Sequence, residues 1–275
     1  MKDALIVSAL SLVPRRRGAR AMGRVARSRA SRWITAAFVK AYGVDLSEAE
    51  GELTDYPTLE ALFTRTLRDG ARPVDDAPEA IVSPVDGTCA WVGPTADGRI
   101  ALAPGRTLDV GALVGHPLDG EADVVVLYLS PKDYHRVHVP REGEATSWHY
   151  VPGTLWPVFP AAVRRIDDLF ARNERLVVRC ETSEGDLEVV LVGAFGVGRI
   201  TAAVTDLVTN TGGTAAGARL DPPHRLERAG WLGTFHLGST VVLVAPPGRW
   251  QWSVEVGETV RVGRSIGRRP LRLEG

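Results

Sequence analysis

The chain has 275 residues, with 33 basic and 33 acidic side chains, 44% apolar residues, 29 glycines, 18 prolines and 2 cysteines. That is enough to bury a core as one large or two small domains, and it excludes wholesale disorder and a fibrous or disulfide-stapled architecture. Cys89 and Cys180 lack metal-ligand spacing and read as packing residues in a reducing compartment.

The zero net charge conceals a split. Residues 1–40 carry ten basic side chains (Lys2, Arg15, Arg16, Arg17, Arg20, Arg24, Arg27, Arg29, Arg32, Lys40) against Asp3, so this end is about +9 and the remainder about −9. The apolar run Ala4–Val13 is about half the length that spans a bilayer as a helix. Pro14 and Arg15-Arg16-Arg17 follow it where a secretory signal would have a small-residue cleavage site, so neither a transmembrane span nor a signal peptide is expected. Leu5, Ile6, Leu10, Leu12 and Val13, then Trp33, Ile34, Ala37 and Phe38, suit amphipathic helices lying in a membrane interface. There each arginine near anionic headgroups contributes about 1 kcal/mol. A helix pair docked on its own domain and a nucleic-acid tail are the alternatives.

Further along, helical spacing predicts one helix from Ala19 to Tyr42 and a second over Thr58–Arg68, capped by Thr58 and striped by Leu59, Leu62 and Phe63. Pro73, Asp75, Asp76 and Pro78 read as a linker. From Ile81 the texture is β, with short runs at Ile81–Val82, Arg99–Leu102, Val124–Leu129, Leu176–Val178, Leu187–Val192, Thr240–Val244, Trp252–Val256 and Thr259–Val262. A helix is expected over Ala161–Ala171, and a hairpin over Val254–Gly263. The fold class is therefore α+β: a β-rich, sandwich- or barrel-like core behind N-terminal amphipathic helices.

Three segments offer chemistry. Asp86 follows a strand in Ser83-Pro84-Val85-Asp86-Gly87, where a turn-forming role is the simpler reading. His135 and His138 lie in Tyr134-His135-Arg136-Val137-His138-Val139-Pro140 and share one site only if the chain bends between them. Acid–base work, a buried structural role and a zinc pair are all open to them, but no third ligand stands at convincing spacing, because His116, His149, His224 and His236 are isolated in the sequence. Ser239 lies in Leu237-Gly238-Ser239-Thr240, and a serine hydroxyl becomes a useful nucleophile when a histidine takes its proton and a carboxylate supports that histidine. Asp86, His138 and Ser239 supply those three types.

Taken together the motifs carry more. Residues 83–87, Tyr-Leu-Ser-Pro-Lys-Asp-Tyr-His-Arg-Val-His-Val-Pro at 128–140, Tyr-Val-Pro-Gly-Thr-Leu-Trp-Pro at 150–157, Leu-Phe-Ala-Arg-Asn-Glu-Arg at 169–175 and Gly-Thr-Phe-His-Leu-Gly-Ser-Thr-Val at 233–241 resemble, in order, the bacterial phosphatidylserine decarboxylases. The likeness extends to the N-terminal helices and the Leu67–Pro73 stretch. Trp231 stands where the family usually has an acid, and Phe159 where it often has asparagine.

The resemblance implies an enzyme that cuts itself between Gly238 and Ser239 and converts Ser239 into a covalent pyruvoyl group, a ketone that accepts the electrons left when carbon dioxide departs. It implies Ser239 as nucleophile and pyruvoyl precursor, His138 as its base, Asp86 as the carboxylate orienting His138, and His135 as the group that protonates the α-carbon or positions the substrate carboxylate. No metal is implied. The segment 150–160 is expected beside the site, with Trp156 and Phe159 either meeting acyl chains or belonging to the core. The implied organisation is a helical membrane-binding segment, 1–72, and a β-rich catalytic domain, 73–275, whose large and small cleavage chains form a heterodimer; a homo-oligomer is left open, and no nucleic-acid partner is implied. The implied reaction converts phosphatidylserine to phosphatidylethanolamine and carbon dioxide, peripherally on the cytoplasmic face of an inner membrane. The rivals are a serine hydrolase using the same triad uncut, a pyruvoyl decarboxylase of another serine-headed lipid, and a non-catalytic lipid-binding protein.

Overall fold

The structure, a computed structural model, describes residues 15–196, 198–236 and 238–270. The apolar run 4–13 lies outside the described residues. Helix α1 (Arg15–Arg27) and helix α2 (Arg32–Tyr42) replace the single helix expected, with a 3-10 turn at Arg29–Ser31 between them. The physical reason is Ser31. Its buried hydroxyl sits 2.9 Å from the Ala26 carbonyl and 2.8 Å from that of Ser28, and it accepts the Leu59 N–H at 2.9 Å. A tertiary bond at the break thus folds both helices onto helix α3 (Leu59–Phe63), where Ala26, Leu59, Leu62 and Phe63 form a small core.

Helix α3 is capped by the Thr58 hydroxyl, which accepts from Ala61 N, but it stops well short of Arg68. Helix α2 ends at Gly43, whose φ of 66° is the left-handed conformation that glycine adopts without strain. No helix among the described residues is long and apolar enough to cross a membrane.

The β region follows as strands β1 (Ala80–Val82), β2 (Gly87–Pro94), β3 (Arg99–Ala103) and β4 (Arg106–Asp109), helix α4 (Val110–Val114), and strands β5 (Asp123–Leu129), β6 (Arg136–His138) and β7 (Gly143–Val151). Helices α5 (Pro160–Val163) and α6 (Leu169–Arg172) lead to β8 (Arg175–Thr182), β9 (Gly185–Gly193), β10 (Ile200–Ala202), β11 (Ala216–Leu226), β12 (Trp231–Phe235) and β13 (Ser239–Ala245). The last strands are β14 (Gln251–Trp252), β15 (Thr259–Val260) and β16 (Ser265–Arg268).

The main sheet is antiparallel and open, in the order β11-β7-β8-β9-β13-β5-β2-β15. Its end strands do not pair, so the α+β class holds without a closed barrel.

Both faces of this sheet are covered, which explains why its central strands read as unbroken apolar runs. Leu127, Leu129, Val241 and Leu243 point into one core, shared with Val137, Leu232 and Phe235 from the small sheet β10-β12-β6 and with Ile81 and Ile266 from the sheet β1-β16-β14. Val124, Val126, Val242 and Val244 point into the other, beneath α4, α6 and the β3–β4 hairpin. Each such side chain contributes roughly 1.5–3 kcal/mol by leaving water.

Two further expectations are corrected. The helix over 161–171 is two short turns, interrupted at Asp168, whose φ of 50° is incompatible with a continuous α-helix. The hairpin over 254–263 does not form, because β14 pairs with β16 while β15 pairs with β2, so the turn joins two different sheets.

Candidate active site

Ser239 opens the central strand β13, with Leu129 and Gly193 as its cross-strand partners. Strand alternation sends its side chain to the face of Val241 and Leu243, the one covered by β6 and β12. The residue is 0% exposed, and its Oγ has no hydrogen-bond partner among the described residues. Burying an unpaired hydroxyl costs about 1–3 kcal/mol. Gly238 before it has φ 44°. A Cβ there would lie 3.5 Å from the Phe195 carbonyl oxygen, an ordinary contact, so glycine is required by the backbone conformation and not by lack of room. Thr240 Oγ1 is also buried and unpartnered, on the opposite face.

His138 ends β6, opposite Trp231 of β12. Its Nδ1 donates to the Ala229 carbonyl at 2.7 Å, which leaves Nε2 as the unprotonated nitrogen, accepting from the Tyr134 hydroxyl at 3.2 Å. Burial holds the imidazole below its ordinary pKa, so it is neutral near pH 7 with its lone pair occupied by a tyrosine.

Asp86 does not make the expected bond to His138. Arg72 Nε donates to both its oxygens, at 3.0 and 3.1 Å, Arg72 Nη2 adds a third bond at 2.5 Å, and Val262 N donates to Oδ1 at 2.9 Å. Burial alone would lower the Arg72 pKa, yet Asp86 and Glu48 hold it above its ordinary value. The Asp86 charge still acts through space: it favours the protonated forms of His135 and His138 and opposes ionisation of Asp133 and Tyr134. It is thus the common charge of the region, while the Ala229 carbonyl fixes the His138 ring.

His135 is fully buried with its ring edge on Phe63 of α3. Its Nδ1 donates to the Asp133 carbonyl at 2.8 Å and its Nε2 has no partner among the described residues. Burial, with a smaller push from Arg65, lowers its pKa to about 4. In this tautomer it can take a proton but has none to give.

The helical layer braces this region. Arg65 Nη2 donates to the carbonyls of Lys132 and Asp133 at 3.1 and 3.3 Å, and Arg136 Nε donates to the Thr64 carbonyl. Glu60 accepts from His236 Nδ1 at 2.9 Å, while Thr201 Oγ1 lies 3.2 Å from His236 Nε2 and the His236 N–H donates to the Arg199 carbonyl at 3.0 Å. His236, isolated in sequence, is therefore anchored by side chain and backbone just before Gly238. Burial would raise the Glu60 pKa, but His236 above all, with Arg199 and Arg27, holds it below the usual range.

Sequence reasoning missed Arg72, Tyr134, Ala229, Glu60 and His236. Tyr134 and His236 lie within the quoted motifs and Arg72 within the Leu67–Pro73 stretch; Ala229 and Glu60 contribute through contacts that no spacing encodes. Trp156 is buried in the core beneath the helices, and Phe159, half-buried, packs against that core. Cys89 and Cys180 are buried, with thiol pKa values pushed by burial to about 11 and about 12, which leaves them inert packing groups.

The family model for phosphatidylserine decarboxylase matches residues 59–268. The chain belongs to the phosphatidylserine decarboxylase family. It is 43% identical to a phosphatidylserine decarboxylase proenzyme of Myxococcus xanthus, over 84% of this chain and 85% of that one. With the proenzyme of Anaeromyxobacter sp. the identity is 41%, over 97% and 99% of the two chains, and with that of Marinobacter nauticus 37%, over 98% and 99%. The β region and helix α3, with every site residue described above except Glu48 and Arg27, fall within the family match.

Proposed function

We propose that this decarboxylase acts on phosphatidylserine, after the uncut chain cleaves itself between Gly238 and Ser239 to give residues 1–238 and 239–275, which stay together as a heterodimer. The observation that carries this reading is the complete burial of Ser239, its hydroxyl unpartnered, directly after a glycine at positive φ. An external ester cannot reach such a hydroxyl, whereas the carbonyl of Gly238 is one bond away from its own residue. That favours intramolecular attack over a standing hydrolase triad, as does the engagement of Asp86 by Arg72.

In this reading Ser239 Oγ attacks the Gly238 carbonyl carbon as His138 Nε2 takes the hydroxyl proton, and the C–N bond is exchanged for an ester. Loss of the Ser239 α-proton then breaks the Cβ–O bond, freeing the Gly238 carboxylate, and one water releases the nitrogen as ammonia. The lowered His138 pKa keeps it neutral and ready to accept that proton, and the nearby Asp86 charge stabilises the imidazolium once formed. The Tyr134 hydroxyl must leave Nε2 first.

The residues fit a pyruvoyl group at 239: the position is dry and opens a central strand. When formed, such a ketone provides the electron sink for loss of carbon dioxide. Around it His135, neutral and with Nε2 unpartnered among the described residues, would accept a hydrogen bond from the substrate ammonium and position the substrate at that ketone. Phe63 and Arg65 keep that ring in place, and the dry surroundings strengthen each charge interaction.

The helical segment 1–72 would bind the cytoplasmic face of an inner membrane peripherally, with Trp33, 87% exposed, and Ile34 turned to lipid and the catalytic domain 73–275 behind it. The test is product analysis. Purified full-length protein given phosphatidylserine vesicles should release carbon dioxide and leave phosphatidylethanolamine. Fatty acid or lysolipid as the product would indicate the hydrolase instead.

A further inference from the structure

A cavity of ≈ 480 Å³ opens between α1 and the loop at 208–211, lined by Arg20, Arg24, Arg27, Arg199, Thr209 and Thr211. The carboxylate that answers these four guanidiniums is Glu60, which pairs with Arg199 at 3.3 Å and Arg27 at 3.8 Å and already accepts from His236. Arg20 and Arg24 make no ion pair among the described residues. Arg20 is held in place all the same, because its Nε donates to the Asn210 carbonyl at 3.2 Å. The cavity thus keeps excess positive charge in a concave, partly ordered frame, and guanidinium forks match the paired oxygens of a phosphate group.

The helical layer that carries the cavity also exposes apolar side chains, outside the cavity's own lining. Met22 and Val25, on the same helix as three of the arginines, are 45% and 56% exposed, and exposed Trp33 and Ile34 follow on α2. Anion and exposed apolar side chains on one helical layer fit a lipid better than a free ion. We propose that this cavity binds the phosphodiester group of a membrane phospholipid, a defined site within the membrane-surface reading on which it rests. Its position follows from Arg199, whose carbonyl accepts the His236 N–H in the segment leading to Gly238.

The test uses the full-length Ser239→Ala protein, which cannot consume lipid, sedimented with phosphatidylcholine vesicles containing phosphatidylglycerol. Adding Arg20→Gln with Arg24→Gln should lower vesicle affinity about tenfold, the scale of lost charge-assisted hydrogen bonds. Adding Arg29→Gln with Arg32→Gln removes the same charge from exposed positions outside the cavity and should lower it less than about threefold, as diffuse attraction does. Equal losses from the two pairs would overturn the proposal in favour of diffuse attraction. Inorganic phosphate, matched against chloride for ionic strength, should release the protein carrying Ser239→Ala alone. If it raises that protein's melting temperature without releasing it, the cavity takes a free anion and the lipid assignment falls. Failure of that protein to sediment with any anionic vesicle would overturn the membrane reading together with the proposal, a result distinct from equal losses.

Discussion

Arg72 grips Asp86 through Nε, at 3.0 and 3.1 Å from its two oxygens, so the carboxylate expected to orient His138 is hydrogen-bonded to a guanidinium instead. The pair is nearly buried, with side chains 11% and 12% exposed. A charge left alone in such a place costs far more than the pair contributes.

Arg72→Gln is therefore expected to destabilise the uncut chain by roughly 3–5 kcal/mol, and Asp86→Asn, which keeps the Val262 bond, by less. Asp86→Asn should also slow self-cleavage at least about tenfold, because the imidazolium of His138 loses its nearby charge. Urea unfolding and a time course of chain cutting check this. Unchanged cutting in Asp86→Asn would reduce the residue to a turn former.

Tyr134→Phe removes the hydroxyl that occupies His138 Nε2 and leaves the ring packing intact. Cutting should quicken by about twofold or more, since the lone pair no longer has to be released. Slower cutting, followed on denaturing gels, would show that the hydroxyl helps the reaction.

How much of this was legible beforehand depends on whether a feature is local. The Val-rich strands, the Thr58 cap and the candidate trio Asp86, His138 and Ser239 are local, and they can be read directly. The break at Ser31 depends on a bond from Leu59, the failed hairpin on two strands joining different sheets, and the Arg72 clamp on a pairing across the helical layer. Each is a long-range contact that outcompetes a local preference. The anchoring of His236 by Glu60 is of the same kind.

The pH dependence follows from His135. Its folded pKa of about 4 lies below its ordinary value of 6.5, so the unfolded chain binds the proton more readily. The stability it contributes is complete above that ordinary value and is lost as pH falls toward the folded one, by up to about 3 kcal/mol. His138, lowered in the same direction, adds to the trend. Urea midpoints between neutral and acidic pH should fall more steeply for the native protein than for His135→Gln. Equal slopes would contradict a buried neutral His135. With His135→Gln, self-cleavage should persist while turnover stops; normal turnover would refute its proposed role.

Gly238→Ala adds no clash, with the nearest contact at 3.5 Å, but places a side chain at φ 44°. The expected cost is about 1–2 kcal/mol, together with slower cutting as the loop shifts. Native-rate cutting would show that positive φ at this position is not needed for attack.

Intact mass spectrometry of the purified full chain shows whether Ser239 is consumed. The expected result is two chains, one ending at Gly238 and the other beginning at residue 239 with a ketone in place of the amine, lighter than a serine-started fragment by the mass of ammonia, while Ser239→Ala stays whole. A single 275-residue chain that retains the serine and still decarboxylates phosphatidylserine would contradict it.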